Sequence, residues 1–339
     1  MKRVTTLGID LAKQVFQLHG VDERGKAVLK KKLSRSQLSE FVAQLPLCVV
    51  AMEACASSHF WARKFREMGH EVKLISPQFV KPFLKSNKND ANDAEAIAEA
   101  AARPSMRFVA VKTVDQQDAL AVHRIRERLV CARTALVNEI RGLLGEYGIV
   151  IPQGIQKFRK HIPEIIEDDA NGLSPKMRSL FGRLHSELKE LDEKIYALEA
   201  EIESEVKAQD MTKRLMTIPG VGPITASAMV ASIGNPSVFR NGRELSGWLG
   251  IVPRQNSSGG KEKLGGISKR GDKYLRRLLI HGARATLTRA KNDHRGEWLT
   301  KLRERRGFNR ACVALANKNA RIIWALMTSG KSYCERKSA

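Results

Sequence analysis

Two apolar runs near the start of the chain each end in a carboxylate, and this feature constrains the fold most. Residues 5–10 (TTLGID) and 47–53 (LCVVAME) read as buried strands that close on Asp10 and Glu53. A charge at the end of a buried strand is costly unless it is paired or solvated. We therefore predict that both carboxylates meet at one edge of the same sheet. The alternative is that Glu53 is simply solvated at the tip of its strand.

The residues around these runs alternate between strand and helix patterns, which predicts an α/β domain over residues 1–112. Pro77 ends the last strand and completes a βαβ-like unit. A first strand ending in Gly-Ile-Asp is the usual opening of a ribonuclease-H-like fold, although many strands end in Asp before a turn. The further predicted elements are strands at 15–20, 26–33 and 71–76 and helices at 34–45 and 58–68.

The segment Lys88–Ala94 (KNDANDA) stands at the start of an alanine-rich helix pattern. Asp90 and Asp93 are three residues apart, so on a helix they share a face and repel one another. A divalent metal removes that repulsion, and hard oxygen ligands favour Mg²⁺ or Mn²⁺. An acidic first turn that merely caps the helix is the alternative. Together with the two strand-end acids, the pair predicts a metal site for phosphoryl transfer.

Positive charge dominates the composition and indicates a polyanionic partner, most simply nucleic acid. The net charge is +23, and residues 240–310 alone hold 19 Lys and Arg against 6 Asp and Glu. The five cysteines are scattered without CxxC spacing, which favours free thiols over a zinc site or a disulfide framework. Neither a membrane-spanning run nor a signal-peptide pattern is evident, so we expect a cytoplasmic protein.

Two long amphipathic helices are predicted in the middle of the chain, within a helical region at 113–210. Apolar residues recur at steps of three and four over 115–147, and in heptads over 175–208. Residues 149–173 include Pro152, Pro163 and Gly172, and there we expect a short helix with loops. The long helices predict a coiled-coil hairpin within one chain, with a part in dimerisation as an addition.

The last region, 211–330, combines a glycine turn with a basic, glycine-rich segment. Residues 218–223 (IPGVGP) follow the helix-hairpin-helix pattern, in which Gly220 and Gly222 expose backbone amides to phosphate. Residues 246–271 are rich in Ser and Gly, and composition alone favours a flexible linker. A serine among basic residues is alternatively a nucleophile for a phosphodiester. The remainder is predicted to be helical, and 331–339 to be a disordered tail.

Several ordered motifs give nearly the whole chain a resemblance to the DEDD-type serine transposases of bacterial insertion sequences. These are the "one-ten" family with its "eleven-eleven" branch, also called bridge-RNA-guided recombinases. The motifs are G-I-D, M-E-A, K-N-D-x-x-D-A, the heptad helix, I-P-G-V-G-P, G-x-x-P-R before the Ser-Gly segment, and S-K-x-G at 268–271. After Glu53 this chain has Ala-Cys-Ala, where relatives often have glycine at the third position.

The resemblance implies a RuvC-like first domain with a DEDD metal site, a helical region and a mainly helical, serine-bearing transposase domain. It implies that Asp10, Glu53, Asp90 and Asp93 hold the metal, and that Ser258 is the nucleophile. Ser257 lies directly beside Ser258, so this choice depends on the register to Pro253 and on the glycine that follows. The predicted nucleic-acid-binding residues are Lys88, Gly220, Gly222, Arg254, Lys261, Lys269, Arg270, Arg276 and Arg277.

The implied partners are donor and target DNA, a noncoding guide RNA encoded by the element, and further copies of the chain. A dimer would become a tetramer when the two DNAs are brought together, with domains of different subunits completing each site. The expected location is the bacterial cytoplasm, in association with the nucleoid. Two other functions stay open from the residues alone: a hydrolytic RuvC-like nuclease such as a junction resolvase, and a non-catalytic nucleic-acid-binding protein.

Overall fold

The fold is described for residues 3–85, 89–289 and 294–334 of a computed structural model, and for residues 294–297 the description is limited to the backbone. The chain divides into two compact units, Met1–Asp115 and Gln116–Ala339. The predicted boundary at residue 112 lies close to this division. The predicted boundary at residue 210 lies inside the second unit and stays a prediction.

A six-stranded sheet forms the centre of the N-terminal unit. Its strands are β1 Thr6–Asp10, β2 Val15–Val21, β3 Ala27–Ser34, β4 Val49–Glu53, β5 Glu71–Ile75 and β6 Phe108–Val109. The strand order is β3-β2-β1-β4-β5-β6. β1, β4 and β5 are parallel, whereas β2, β3 and β6 each run antiparallel to a neighbour. The sequence predicts the first five strands, but not β6, because two residues carry no periodicity.

Helices cover both faces of this sheet, and side-chain alternation along the strands decides which residues meet them. The helices are α1 Arg35–Ala43, α2 Ser58–Glu67, α3 Pro77–Val80 and α4 Asp90–Ala101. Ile9 and Met52 belong to the core shared with α1 and α2. Ala51 and Ile75 belong to a separate core with α4. The small side chains of α4 suit a helix that lies close to a strand.

The rest of the chain is mainly helical. Its helices are α5 Val114–Gly145, α6 Ile155–Glu167, α7 Pro175–Ala208, α8 Asp210–Met216, α9 Pro223–Ile233, α10 Gly242–Trp248, α11 Lys273–Arg289, α12 His294–Arg306 and α13 Phe308–Ser329. Two short strands, β7 Pro253–Gln255 and β8 Leu264–Ile267, pair with each other. None of the described helices combines the length and the apolar composition that a membrane crossing requires.

The two long helices α5 and α7 lie antiparallel and are joined by ion pairs at heptad spacing. Arg126 pairs with Glu199, and Arg133 donates to Asp192 over 3.1 Å. Because the partners' numbers fall along α7 as those on α5 rise, the helices run in opposite directions. Arg159, on α6, donates to the same Asp192 over 2.6 Å. The short predicted helix between the long ones is therefore α6, and it packs into their shared core.

A buried histidine ties α5 to the helices that follow it. His123 is 1% exposed, and its two ring nitrogens lie 3.0 Å from the hydroxyls of Tyr274 on α11 and Ser227 on α9. Burial, with a smaller effect of the nearby Arg126 charge, lowers the pKa of His123 to about 4. The ring is therefore neutral near pH 7 and serves as a hydrogen-bonded link between three helices.

The end of the described chain remains attached to the core. The Tyr333 amide donates to the Thr217 hydroxyl over 3.0 Å, and the Tyr333 side chain packs against the core of the C-terminal helices. At Tyr333, therefore, the chain lies against the fold rather than forming a free tail. The remainder of the predicted tail, residues 335–339, lies outside the described residues.

Candidate active site

Asp10 and Glu53 lie at the ends of two adjacent parallel strands. The register pairs Ile9 on β1 with Met52 on β4, so the residues that follow them, Asp10 and Glu53, are level. Level residues on neighbouring strands point to the same face of a sheet. Gly8 contacts α4, and Asp10, two residues further on, shares that face. Both acids therefore lie on the α4 face, at the same edge, as predicted.

The start of α4 supplies two further carboxylates. The Asn89 side chain accepts a hydrogen bond from the Asn92 amide over 2.8 Å and caps the helix. The helix begins at Asp90, and its first turn contains Asp90 and Asp93. Side chains three residues apart share a face of a helix. The predicted helix start and the common face of the two acids are thus observed.

A glycine on β1 allows α4 to approach the sheet closely. A Cβ atom at Gly8 would lie 2.3 Å from the Ala94 carbonyl oxygen and 2.7 Å from the Ala98 amide nitrogen. No side chain fits at such distances unless the helix moves. Gly8 and the alanines of α4 therefore set the separation between the end of β1 and the first turn of α4.

Three of the four predicted acids form one compact group. One carboxylate oxygen from each of Asp10, Asp90 and Asp93 lies within 4.8 Å of the other two. Glu53 is not in this group, but burial and the charges of Glu53 and Asp10 all raise the pKa of the Cys55 thiol. The charges of both strand-end carboxylates therefore act on the same thiol. A group of hard oxygen ligands fits a divalent cation such as Mg²⁺ or Mn²⁺.

The serine-rich segment forms a β-hairpin rather than the linker that composition favours. Pro253 pairs with Ile267 across β7 and β8, and the Lys261 amide donates to the Ser258 carbonyl over 3.0 Å. Gly259 and Gly260 between them have φ of 55° and 76°. Positive φ at both central residues is the pattern of a type I′ turn, which suits the twist of a hairpin. The glycines therefore specify a tight turn, and the linker prediction is wrong here.

The two neighbouring serines differ in what their hydroxyls do. The Ser257 hydroxyl accepts hydrogen bonds from the Gln255 side chain and the Lys263 amide, both over 3.1 Å. Ser258 stands at the corner of the turn, exposed, and its hydroxyl makes no hydrogen bond with any described residue. Ser257 thus holds the hairpin together, while the Ser258 hydroxyl is accessible.

Close backbone packing fixes the base of the hairpin. A Cβ atom at Gly271 would lie 2.0 Å from the Trp248 carbonyl oxygen. Arg276 is 9% exposed and donates to the carbonyls of Leu249 and Gly271 over 3.1 and 3.2 Å. The sequence predicts that Arg276 binds nucleic acid. The structure instead buries its guanidinium among backbone carbonyls.

Of the other predicted nucleic-acid-binding cations, one forms an ion pair and four are exposed. Arg277 pairs with Glu127 on α5, and its guanidinium lies 5.6 Å from the Tyr274 ring centroid. This arginine therefore links α11 to α5. Lys88 lies outside the described residues. Four predicted cations are exposed and take part in none of the ion pairs among described residues, namely Arg254, Lys261, Lys269 and Arg270.

The two glycines of the predicted phosphate-binding turn have different environments. Gly220 has a φ of 85°, and a Cβ atom there would lie 2.7 Å from the Gly282 carbonyl oxygen on α11. Gly220 thus allows the turn to pack against α11. Gly222 is exposed at the N-terminus of α9 and has no atom within 4 Å of a Cβ position. Of the pair, Gly222 is the one open to a phosphate.

Sequence reasoning missed three residues that shape these two regions. Gly8 allows α4 to lie close to β1, and Asn89 caps that helix. Lys263 adds an exposed cation beside the turn formed by residues 258–261, which we call the serine turn. The Asn directly before an acidic, alanine-rich pattern is a readable capping signal. No local signal in the sequence marks Gly8, because its role depends on a helix more than 80 residues away.

Comparison with known proteins identifies the family. A model described as "Transposase IS116/IS110/IS902 family" matches residues 212–298, and a second, the DEDD_Tnp_IS110 model described as "Transposase", matches residues 7–149. The first covers the serine hairpin, and the second covers all four acids.

Relatives extend this similarity over almost the whole chain. The "Transposase for insertion sequence element IS1111A" of Coxiella burnetii is 53% identical over 98% of this chain and 92% of its own length. The "Probable family 20 transposase" of Pseudomonas aeruginosa is 51% identical over 97% of this chain and 98% of its own. The transposase for IS1328 of Yersinia enterocolitica is 45% identical over the same shares. The chain therefore belongs to the IS110 family of insertion-sequence transposases, enzymes of DNA strand transfer, and to its eleven-eleven branch.

Proposed function

We propose that this transposase is an RNA-guided, site-specific recombinase that cuts and rejoins DNA through a phosphoserine intermediate on Ser258. We choose Ser258 over Ser257 because their hydroxyls have different hydrogen bonding. Ser257 accepts two hydrogen bonds within the hairpin, whereas the Ser258 hydroxyl is exposed and unbonded among the described residues. A nucleophile must reach its phosphorus atom, and the exposed hydroxyl meets that requirement.

The covalent step is balanced without water. The Ser258 oxygen forms a bond to phosphorus, and the bond from phosphorus to the 3′ oxygen breaks. The serine loses its proton, and the departing 3′ oxygen takes one up. A 3′-hydroxyl of the second DNA then attacks the phosphoserine and restores the serine. Because the phosphodiester energy is retained in the covalent link, the strands are rejoined without hydrolysis.

The acid group would hold the divalent cation in this scheme. Asp10, Asp90 and Asp93 offer converging oxygens, and Glu53 stands level with Asp10 on the next strand. A bound Mg²⁺ or Mn²⁺ supplies charge neutralisation at the phosphate and stabilises the transition state. The four exposed cations beside the serine turn, Arg254, Lys261, Lys269 and Arg270, would position the DNA backbone.

The remaining parts of the proposal concern partners. A noncoding RNA encoded by the element would select the target and donor DNA by base pairing, while the protein contacts backbone and shape. Subunits would contribute the acid group and the serine hairpin in trans, in a dimer that becomes a tetramer on synapsis. The antiparallel α5 and α7 would form a coiled-coil hairpin that takes part in this assembly. Association with the bacterial nucleoid follows from the DNA substrate.

Trapping the covalent intermediate tests the nucleophile. The full-length protein is incubated with its element DNA, the RNA that co-purifies with it and Mg²⁺, then denatured and analysed for protein–DNA adducts. We expect an adduct with the wild-type protein and with Ser257→Ala, mapped by mass spectrometry to Ser258, and none with Ser258→Ala. Cleavage by Ser258→Ala without any wild-type adduct would instead identify a hydrolytic nuclease. If the protein binds DNA independently of metal and no strand exchange occurs, it is a non-catalytic nucleic-acid-binding protein.

Sequencing the RNA that co-purifies with the protein tests whether RNA selects the DNA sites. We expect one dominant noncoding RNA, with loops that match the donor and target DNA. Recombination should then follow changes made in those loops, so that a new target is used when the loop is rewritten. Recombination that proceeds at an unchanged site after such rewriting, or without RNA, contradicts RNA guidance.

A further inference from the structure

A large groove lies in the C-terminal unit, beside the base of the serine hairpin. Its volume is about 1130 Å³, and it is bounded by α10, α12, α13 and the hairpin strands. Pro253 and Ile267, the paired residues that begin and end the hairpin, line it together with Ile251. We call this space the α13 groove.

The walls of the α13 groove combine cations with apolar surface. Four basic side chains line it, all of them exposed, and none takes part in an ion pair among the described residues; they are Arg243, Arg310, Lys318 and Arg321. Among the residues whose side chains the structure describes, no aspartate or glutamate lines the groove. Val313, Ala314 and Ile322, also on α13, add apolar surface to the wall. Such a surface is complementary to an anionic ligand that also has flat, apolar parts.

An aromatic ring stands at the wall of the groove. Trp298 is 43% exposed, and the Lys318 ammonium lies 4.7 Å from the centroid of its ring. An exposed indole beside cations is a stacking surface for a nucleic acid base, because every base has a π-face and its phosphate needs a positive partner. Phosphate ions alone would leave the apolar wall uncovered.

The same wall distinguishes unpaired from paired nucleic acid. A duplex presents phosphates to a protein surface and keeps its bases stacked inside, so the apolar wall and Trp298 would gain little from it. An unpaired strand exposes its base faces and covers such a wall. Arg310 and Arg321 lie eleven residues apart on α13, roughly 16 Å along the axis, which leaves room for more than one phosphate between them.

The position of the groove relative to Ser258 indicates which DNA strand it would bind. Five residues separate Pro253, in the groove, from Ser258 at the turn, a distance of roughly 17 Å along an extended strand. One strand of a duplex rises about 3.4 Å per nucleotide, and an unpaired strand can extend further, so this distance corresponds to at most about five nucleotides. A DNA strand attacked by Ser258 would therefore pass the groove within a few nucleotides of the cleaved phosphate.

We propose that the α13 groove binds unpaired nucleotides of the DNA strand that Ser258 attacks. A base stacks on Trp298, and the flanking phosphates contact Arg310, Lys318 and Arg321. The assignment to the attacked strand rests on the function proposed for Ser258. The binding of unpaired DNA in the groove does not require cleavage and is measured without it.

Photocrosslinking locates the bound base. Full-length Ser258→Ala protein is mixed with a 20-nucleotide oligothymidylate carrying 5-iodouracil, irradiated, and mapped by mass spectrometry. We expect crosslinks at Trp298 in large excess over Trp248, which is 39% exposed but does not line the groove. The same oligonucleotide paired with its complement should lose most of the Trp298 signal. Equal yields at the two tryptophans, or crosslinking at Trp298 by a uridine RNA but not by DNA, overturn the proposal.

A pair of charge-matched variants tests the cations. Arg310→Gln with Arg321→Gln removes two charges inside the groove, and Arg305→Gln with Arg306→Gln removes two outside it, on α12. We expect the groove variant to bind the oligothymidylate about tenfold more weakly and to lower the slope of log K against log salt by about 1.4. Trp298→Ala should weaken binding by about tenfold with an unchanged slope.

The control pair should lie within about twofold of the wild-type affinity. If the control pair weakens binding as much as the groove pair, the effect is one of net charge and the proposal is wrong. These measurements use protein without the nucleophile, so they stand whether or not Ser258 forms an adduct. A missing adduct with intact groove binding would overturn the proposed chemistry alone.

Discussion

The acid group and the serine hairpin are built in opposite ways. Asp10, Asp90 and Asp93 are far apart in the sequence and are brought within 4.8 Å by a strand end and a helix start. The hairpin instead takes all its parts from one contiguous segment, 248–276, with the turn, its anchoring serine and its base close together. A site of the first kind depends on the whole sheet, whereas a site of the second kind depends on local turn chemistry.

Both regions nevertheless rely on a glycine where two backbone segments come very close. A Cβ at Gly8 would lie 2.3 Å from the Ala94 carbonyl oxygen, and a Cβ at Gly271 would lie 2.0 Å from that of Trp248. In the first case the contact joins a strand to a distant helix. In the second it joins Trp248 and Gly271, which are 23 residues apart. The same device therefore acts at long range in one region and at short range in the other.

The largest expected effect comes from removing one carboxylate of the long-range group. Asp93→Asn should lower strand transfer about 1,000-fold, because a cation site that loses a charged ligand loses several kcal/mol of transition-state stabilisation. The measurements are the rate of adduct formation and Mn²⁺ binding by titration. Glu67→Gln, an exposed acid on α2 with the same charge change, is the control and should retain wild-type activity. Equal losses in both variants would contradict a cation site at Asp93.

The next largest effect tests the close approach of α4. Gly8→Ala should destabilise the protein by about 3 kcal/mol and lower strand transfer about 100-fold, since the helix must move away from β1 and carry Asp90 and Asp93 with it. Chemical denaturation and adduct kinetics measure the two effects. Gly142→Ala is the matched control, because Gly142 lies on α5 with no atom within 4 Å of a Cβ position. It should be neutral or slightly stabilising.

How far the sequence predicts the fold differs between the two regions for a physical reason. Apolar runs that end in Asp10 and Glu53, and an acidic start before the alanines of α4, are strong local patterns, so both strand ends and the helix start are predictable. The hairpin is not, because Ser and Gly in the same proportions occur in flexible loops. The turn depends on the order of residues, with Gly259 and Gly260 at the two positions of positive φ.

For the basic residues, the sequence does not indicate which side chains are buried or paired. Arg276 and Arg277 are adjacent and look like a nucleic-acid-binding pair. Yet Arg276 binds backbone carbonyls, and Arg277 pairs with Glu127. Arg276 contacts a carbonyl 27 residues earlier and Arg277 an acid on α5, so no pattern of adjacent residues predicts either interaction. Arg254 and Lys261, on the hairpin itself, are exposed, and their binding to nucleic acid stays a prediction.

The buried His123 tests whether long-range contacts hold together the helices next to the hairpin. This residue on α5 hydrogen-bonds to Tyr274 on α11 and to Ser227 on α9. The pKa of His123 is lowered to about 4 from 6.5, so between these values the unfolded chain takes up a proton that the folded protein does not. This contribution to stability is fully present above pH 6.5 and is lost as the pH falls. At pH 4 the loss of stability amounts to about 3 kcal/mol.

Denaturation of the wild type and of His123→Gln across pH 4 to 7.5 measures this contribution. The variant should be less stable at pH 7.5, because it disturbs the hydrogen bonds to Tyr274 and Ser227, and should lose less stability than the wild type on acidification. Parallel pH curves for the two proteins would show that His123 does not link α5 to α9 and α11 as a buried neutral ring.

The smallest expected effect concerns the turn that presents Ser258. Gly259→Ala with Gly260→Ala should cost about 1 kcal/mol for each residue, since both positions need positive φ, and should slow adduct formation about tenfold. Gly259→Asn alone should retain nearly full activity, because Asn-Gly is a preferred pair for a type I′ turn. The adduct rate measures both variants. If the Asn variant is as slow as the double Ala variant, the turn geometry does not set the position of Ser258. The local character assigned to this region would then be wrong, and its glycines would have to be explained by contacts with DNA instead.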